Sequence, residues 1–205
     1  MYKNIIFDLG GVIVEWKPKD FLTNLFMDAD IEKRVYNITF GSEEWKQLDK
    51  GTVTRAIANE KMLANAKKAG CLFEVQEVIQ NWVVILQKRR RVYNLALLLQ
   101  KAGYRIYYLS NIASDTFSYL QDKQMLPSFD GGVASFEVSC NKPEPQIYQV
   151  LLQKYELLAE ECIFIDDTKE NVQAACNLGF TGIVIKNSVN ALVRNLRACG
   201  ITLRK

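Results

Sequence analysis

Asp8, Ser110 with Asn111, Lys142, and Asp166 with Asp167 are the residues of this chain whose types and settings suit chemistry. Asp8 ends the apolar run Asn4-Ile5-Ile6-Phe7 and precedes Gly10-Gly11. Ser110-Asn111 ends the run Tyr104 to Leu109, and Asp166-Asp167 ends Cys162-Ile163-Phe164-Ile165. Short apolar runs bounded by turn residues read as strands buried on both faces. In open parallel sheets the ligand crevice lies beyond the carboxyl ends of such strands. Two carboxylates brought there from separate strands repel unless a cation lies between them. An all-oxygen set with open positions suits Mg²⁺, which takes its remaining ligands from water and phosphate. A lysine and a hydroxyl beside it would complete a cradle for a phosphoryl group. Asp8 would then stand ready to attack phosphorus and form an aspartyl phosphate. Taken alone, Asp8 reads equally well as a strand-end residue opening a turn.

The 205-residue chain contains no histidine, which removes Ser-His-Asp triads, Cys-His pairs and the usual zinc sites. No cysteine precedes an arginine at the spacing of a thiolate phosphate loop, and neither a Walker loop nor a spaced-glycine dinucleotide fingerprint is present. Carboxylates, a lysine, hydroxyls and a hard metal are left to do the work. A net charge of +3 is too small to argue for nucleic acid. Arg89-Arg90-Arg91 reads as a solvated helix start. No apolar run has the length of a membrane span, and Asp8 interrupts the N-terminal run where a signal peptide would be uniformly apolar. Five scattered cysteines fit a reducing cytoplasm, with Cys162 and Cys176 expected in the core. Nothing in the chain demands more than a monomer.

The elements that must position these residues follow from periodicity. Residues 15–88 read as helix throughout: Phe21, Leu22, Leu25 and Phe26 recur at helical spacing behind Pro18. Asp30, Ser42 and Thr54 are expected N-caps, and a helix is expected from Phe73 to Leu86. From Arg89 helices and strands alternate, with strands at 104–109, 129–135, 162–165 and 182–185. This predicts an α/β fold: a Rossmann-like parallel sheet from residues 1–14 and 89–205, with 15–88 as an inserted helical cap.

Four stretches in order carry a resemblance to a known family. Ile5-Ile6-Phe7-Asp8-Leu9-Gly10-Gly11-Val12, Tyr108-Leu109-Ser110-Asn111, Asn141-Lys142-Pro143-Glu144-Pro145 and Phe164-Ile165-Asp166-Asp167-Thr168-Lys169-Glu170-Asn171 resemble the four motifs of the haloacid dehalogenase-like hydrolase superfamily, mostly phosphatases. The helical segment corresponds to the family's cap inserted after the first motif, with Lys50-Gly51-Thr52-Val53-Thr54 resembling a turn found there. Within the family the chain is most similar to sugar-phosphatase-like members, including the glucose-1-phosphate phosphatase type. The resemblance implies Asp8 as nucleophile and Mg²⁺ ligand, with the Gly10 carbonyl and Asp166 also on the metal. It makes Asp167 a further ligand or a partner behind it. It assigns Ser110 and Asn111 to the phosphoryl oxygens and Lys142 to balancing charge. Asn171 reads as a helix residue bonding back to the site loop. Trp16, Trp45 and Trp82 are expected in the core by default, with a place in the substrate pocket as the alternative.

One position departs from the pattern. Most family phosphatases carry an acid two residues after the nucleophile to protonate the leaving oxygen, and this chain has Gly10. General acid catalysis contributes about 10²–10⁴-fold, so good leaving groups such as sugar 1-phosphates or acyl phosphates are expected to be favoured over alkyl esters. The expected function is a Mg²⁺-dependent phosphatase acting on a small phosphate monoester such as a sugar phosphate. The alternatives are a metal-independent carbon–halogen hydrolase, or a phosphate-binding protein that lost turnover with the acid.

Overall fold

The computed structural model describes residues 1–186 and 188–203. The chain opens with β1 (Asn4–Phe7) and runs into α1 (Pro18–Phe26), α2 (Ala29–Ile38), α3 (Glu43–Asp49), α4 (Arg55–Ala69) and α5 (Leu72–Asn81). A 3-10 turn over Trp82–Ile85 ends this stretch, where the sequence predicts a helix continuing to Leu86. The second half alternates as expected: α6 (Arg90–Lys101), β2 (Arg105–Ser110), α7 (Ser114–Asp122), β3 (Gly131–Ala134), α8 (Ser135–Val138) and α9 (Pro145–Lys154). It closes with β4 (Cys162–Asp166), α10 (Lys169–Asn177), β5 (Thr181–Val184) and α11 (Val189–Ala198). The short α8 and a 3-10 turn over Ala159–Glu161 are unanticipated, since their residues read as strand end and loop.

The five strands are all parallel, in the order β3-β2-β1-β4-β5. The sheet is buried because both its faces are covered, and the strand residues divide strictly by parity. Ile5, Phe7, Ile106, Ile163 and Ile165 face a core shared with α6, α11 and the helical stretch α1–α5. Ile6, Tyr107, Leu109, Cys162 and Phe164 face the opposite core, against Ile147, Tyr148 and Leu151 of α9 and Val172 and Ala175 of α10. Chain progression reverses between β1 and β4, so the crevice of such a sheet opens where those two strands end.

Local signals explain most helix starts. Pro18 occupies the first turn of α1, Ser42 Oγ accepts from the Trp45 N–H at 3.1 Å, and Thr54 Oγ1 accepts from the Ile57 N–H at 3.3 Å. The cap of α2 is Asp28 rather than Asp30, accepting from the N–H groups of Asp30 and Ile31 at 3.0 and 3.1 Å. Asp30 lies within the first turn, where its charge still favours the positive helix end. Cys162 is fully buried as expected, whereas Cys176 is exposed beside Gly182 of the edge strand.

Candidate active site

Parallel pairing sets the carboxyl ends of the strands level with one another. Phe7 pairs with Ile165, and the Asp8 N–H donates to the Ile165 carbonyl at 2.8 Å, which brings Asp8 beside Asp166. Phe7 also pairs with Tyr108, so β2 ends at Ser110 on the other side. The loop before α9 then folds back over these tips. It is held by Asn111, whose side chain accepts from the Lys142 N–H at 2.7 Å and donates to the Lys142 carbonyl at 2.9 Å. The resemblance assigns the Asn111 amide to a phosphoryl oxygen; its side chain fixes the backbone of Lys142.

Lys142 is the centre of the site. Its ammonium lies 2.9 Å from Asp8 Oδ1 and 2.6 Å from Asp166 Oδ2, and donates to the Leu109 carbonyl at 2.8 Å. Asp166 is fully buried. Its Oδ1 accepts from the Thr168 N–H at 2.8 Å, and Asn171 Nδ2 donates to both its oxygens at 3.2 and 3.1 Å. Asn171 therefore bonds back to the site, as its helix position suggested. The Leu9 N–H and Lys142 both take Asp8 Oδ1. Asp8, Asp166 and Asp167 each offer an oxygen within 4.8 Å of the others, an all-carboxylate set of the kind that suits a hard divalent ion.

Electrostatics follow from this crowding. Burial pushes the Asp8 carboxyl up to about 7; Lys142 opposes the rise, and Asp166 and Asp167 add to it. Burial also raises Asp167, with Asp166 contributing. For Lys142 burial disfavours the ammonium, but the charges and hydrogen bonds of Asp8 and Asp166 outweigh it and hold the group above its ordinary range.

The two glycines after Asp8 have distinct reasons. Gly11 adopts φ +71°, and a Cβ there would run into the Asp167 carboxylate. The Asp167 carboxylate thus packs on a backbone that only glycine leaves bare. Gly10 has ordinary space above it, with Trp16 Cβ 3.6 Å from where its own Cβ would stand.

A cavity of ≈ 240 Å³ opens above the strand tips. Asp8, Ser110, Asn111, Lys142 and Asp167 form its floor, and Trp16, Phe40, Trp45, Trp82 and Leu86 its walls. All three tryptophans, expected in the core by default, line this cavity. They pack mutually, with Trp45 and Trp82 rings 5.2 Å apart and Trp16 and Trp45 rings 5.9 Å apart. Arg55 stacks on both Trp45 and Trp82 at 5.0 Å and pairs with Asp115 of α7 at 2.8 Å. Asp49 also lines the cavity and was missed. The signal for it is a carboxylate on the buried helix face, four residues after Trp45 and next to Leu48.

The family model of the haloacid dehalogenase-like hydrolases matches residues 2–179. A sesquiterpene phosphatase of Aspergillus oryzae is 26% identical over 189 residues, covering 92% of this chain and 92% of the relative. A D-ribitol-5-phosphate phosphatase of Bacteroides thetaiotaomicron is 26% identical over 195 residues, covering 88% and 90%. A structure of a family enzyme from that bacterium, in complex with magnesium and inorganic phosphate, superposes with a TM-score of 0.67 at 22% identity, covering 94% of this chain and 99% of that one. Fold, motif order and sequence agree, and the chain belongs to the haloacid dehalogenase-like hydrolase family.

Proposed function

We propose that the protein is a Mg²⁺-dependent phosphatase that hydrolyses a small phosphate monoester through an aspartyl phosphate on Asp8. The observation that carries this reading is the grouping of Asp8, Asp166 and Asp167 within 4.8 Å at adjacent strand ends, with Lys142 between two of them. Mg²⁺ bound there would offset the negative charge of nucleophile and phosphate as they approach. Asp8 and Asp167, with the Gly10 carbonyl, would hold it. The resemblance puts Asp166 on the metal as well; because its oxygens already accept from Lys142, Asn171 and Thr168, we read it as backing the site and fixing the lysine. Ser110, 1% exposed at the tip of β2, would donate to a phosphoryl oxygen. The cation of Lys142 favours the ionised form of Asp8, the form that attacks phosphorus.

Residues 15–88 act in this reading as a cap that closes the cavity and excludes water. The walls suit a compact organic group with an apolar face, and a sugar phosphate fits, its C–H face on Trp16 or Trp45 and its hydroxyls near Lys46 and Thr116. The aromatic wall also favours a second substrate class, a short isoprenoid phosphate, which is consistent with the sesquiterpene phosphatase relative. Phosphate release from a panel of sugar, isoprenoid and acyl phosphates, with and without Mg²⁺, tests the reading. Activity that requires Mg²⁺ and disappears in Asp8→Asn supports it. Metal-independent turnover of a haloacid, or phosphate binding with no turnover, would replace it with the alternatives.

A further inference from the structure

Three carboxylates line the cavity: Asp8, Asp167 and Asp49. The first two belong to the strand tips, and Asp49 arrives from the opposite side, at the end of α3. Its backbone is anchored to the sheet half of the molecule. Ser135 Oγ donates to the Asp49 carbonyl at 2.5 Å, Asn141 Nδ2 donates to the Lys46 carbonyl at 3.1 Å, and Lys50 pairs with Glu144 at 2.7 Å. Gly51, at φ +69°, lets the chain turn directly against Phe136. The carboxyl is thus held over the same cavity whose floor carries Asp8, while the residue two after Asp8 has no side chain.

We propose that Asp49 is the general acid of the reaction, supplying from the helical segment the proton that Gly10 cannot. This rests on the phosphatase reading of the site. In the first step an Asp8 oxygen bonds to phosphorus and the P–O bond to the organic group breaks. Its electron pair stays on the leaving oxygen, which takes the Asp49 proton, so the alcohol departs and Asp49 becomes a carboxylate. In the second step Asp49 takes a proton from the water that attacks phosphorus. The Asp8–phosphate bond breaks, inorganic phosphate leaves, and both aspartates return to their starting forms.

The surroundings suit the task. Burial drives Asp49 up to about 7; Arg55 from α4 and the Ala113 N–H oppose the rise, and Asp115 from α7 and Asp8 from β1 assist it. Lys46 and Lys142 are the cations that share the cavity lining. A proton donor is most effective when its pKa lies near the working pH.

The experiment compares wild type and Asp49→Asn, with Mg²⁺, on p-nitrophenyl phosphate, whose phenolate leaves without a proton, and on glucose 6-phosphate, whose alkoxide needs one. The expected loss in kcat/KM is about 10²–10⁴-fold on glucose 6-phosphate and less than about tenfold on the aryl ester. Gly10→Asp added to Asp49→Asn should restore glucose 6-phosphate turnover, which a variant that had merely misfolded would not show. The alkaline limb of the wild-type profile on glucose 6-phosphate should move to lower pH in Asp115→Asn, where one negative neighbour of Asp49 is gone. Equal losses on both esters, or no loss on either, overturn the proton-donor role. A wild type that releases phosphate from neither ester nor any member of the sugar, isoprenoid and acyl phosphate panel removes the phosphatase reading itself and this role with it.

Discussion

Lys142 Nζ and Asp166 Oδ2 lie 2.6 Å apart, with side-chain exposures of 1% and 0%. An ion pair so deep survives only because each member is fully provided for: the lysine by Asp8 and the Leu109 carbonyl, the carboxylate by Asn171 and the Thr168 N–H. Lys142→Met removes one member and leaves two buried acids without their cation. The expected cost is about 3–5 kcal/mol of unfolding free energy, read from urea melts without metal. A change below about 1 kcal/mol would mean that the pair is worth no more than one at the surface.

Metal binding should register in stability before any activity is measured. Mg²⁺ at about 100 times its dissociation constant stabilises by about 2.7 kcal/mol, so the melting temperature should rise with Mg²⁺ and fall back with chelator. Asp167→Asn should keep the metal-free melting temperature and lose most of this rise. Asp166→Asn should lower the metal-free value itself, because its carboxylate is bound by three neighbours. The reverse pattern would exchange the roles of the two aspartates.

Gly11→Ala combines two penalties. Its φ of +71° is costly for any residue with a Cβ, by roughly 1–2 kcal/mol, and the new methyl would displace the Asp167 carboxylate. We expect lower thermal stability together with a weaker Mg²⁺ response. A stability loss with an unchanged Mg²⁺ response would show that Asp167 is not a ligand.

The pH dependence of stability has a definite sign. Asp8 and Asp49 are both raised from 3.8 to about 7 in the folded protein. Between those values the native state holds protons that the unfolded chain has released, so stability falls as pH rises through that window. Their contribution is complete below about 4 and lost above about 7. In chelator, the difference in unfolding free energy between wild type and Asp49→Asn should therefore shift against the wild type from pH 4 to pH 7. A difference that does not vary with pH would place Asp49 near its ordinary range.

The sheet and the floor of the site were legible in the sequence because both depend on local pattern. Apolar runs of four to six residues ending in Asp8, Ser110 and Asp166 fix the strands, and parallel pairing does the rest. The roof was not legible in the same way. Asp49 reaches the cavity only because Ser135 and Asn141, some ninety residues later, hold the end of α3. Trp16, Trp45 and Trp82 follow a helical core pattern whether they pack on each other or face a ligand, and here they do both. Asp28 displaced Asp30 as a cap because helix boundaries are decided within a single turn.

The anchoring of α3 also limits how the molecule can breathe. Swinging the whole helical segment outward would have to break the Ser135 and Asn141 hydrogen bonds, the Lys50–Glu144 pair and the Arg55–Asp115 pair together. Traffic in and out of the cavity is therefore expected through adjustment around Trp16, Phe40 and the Trp82–Ile85 turn. Bulky cargo that needed a wide gape would meet a clasp.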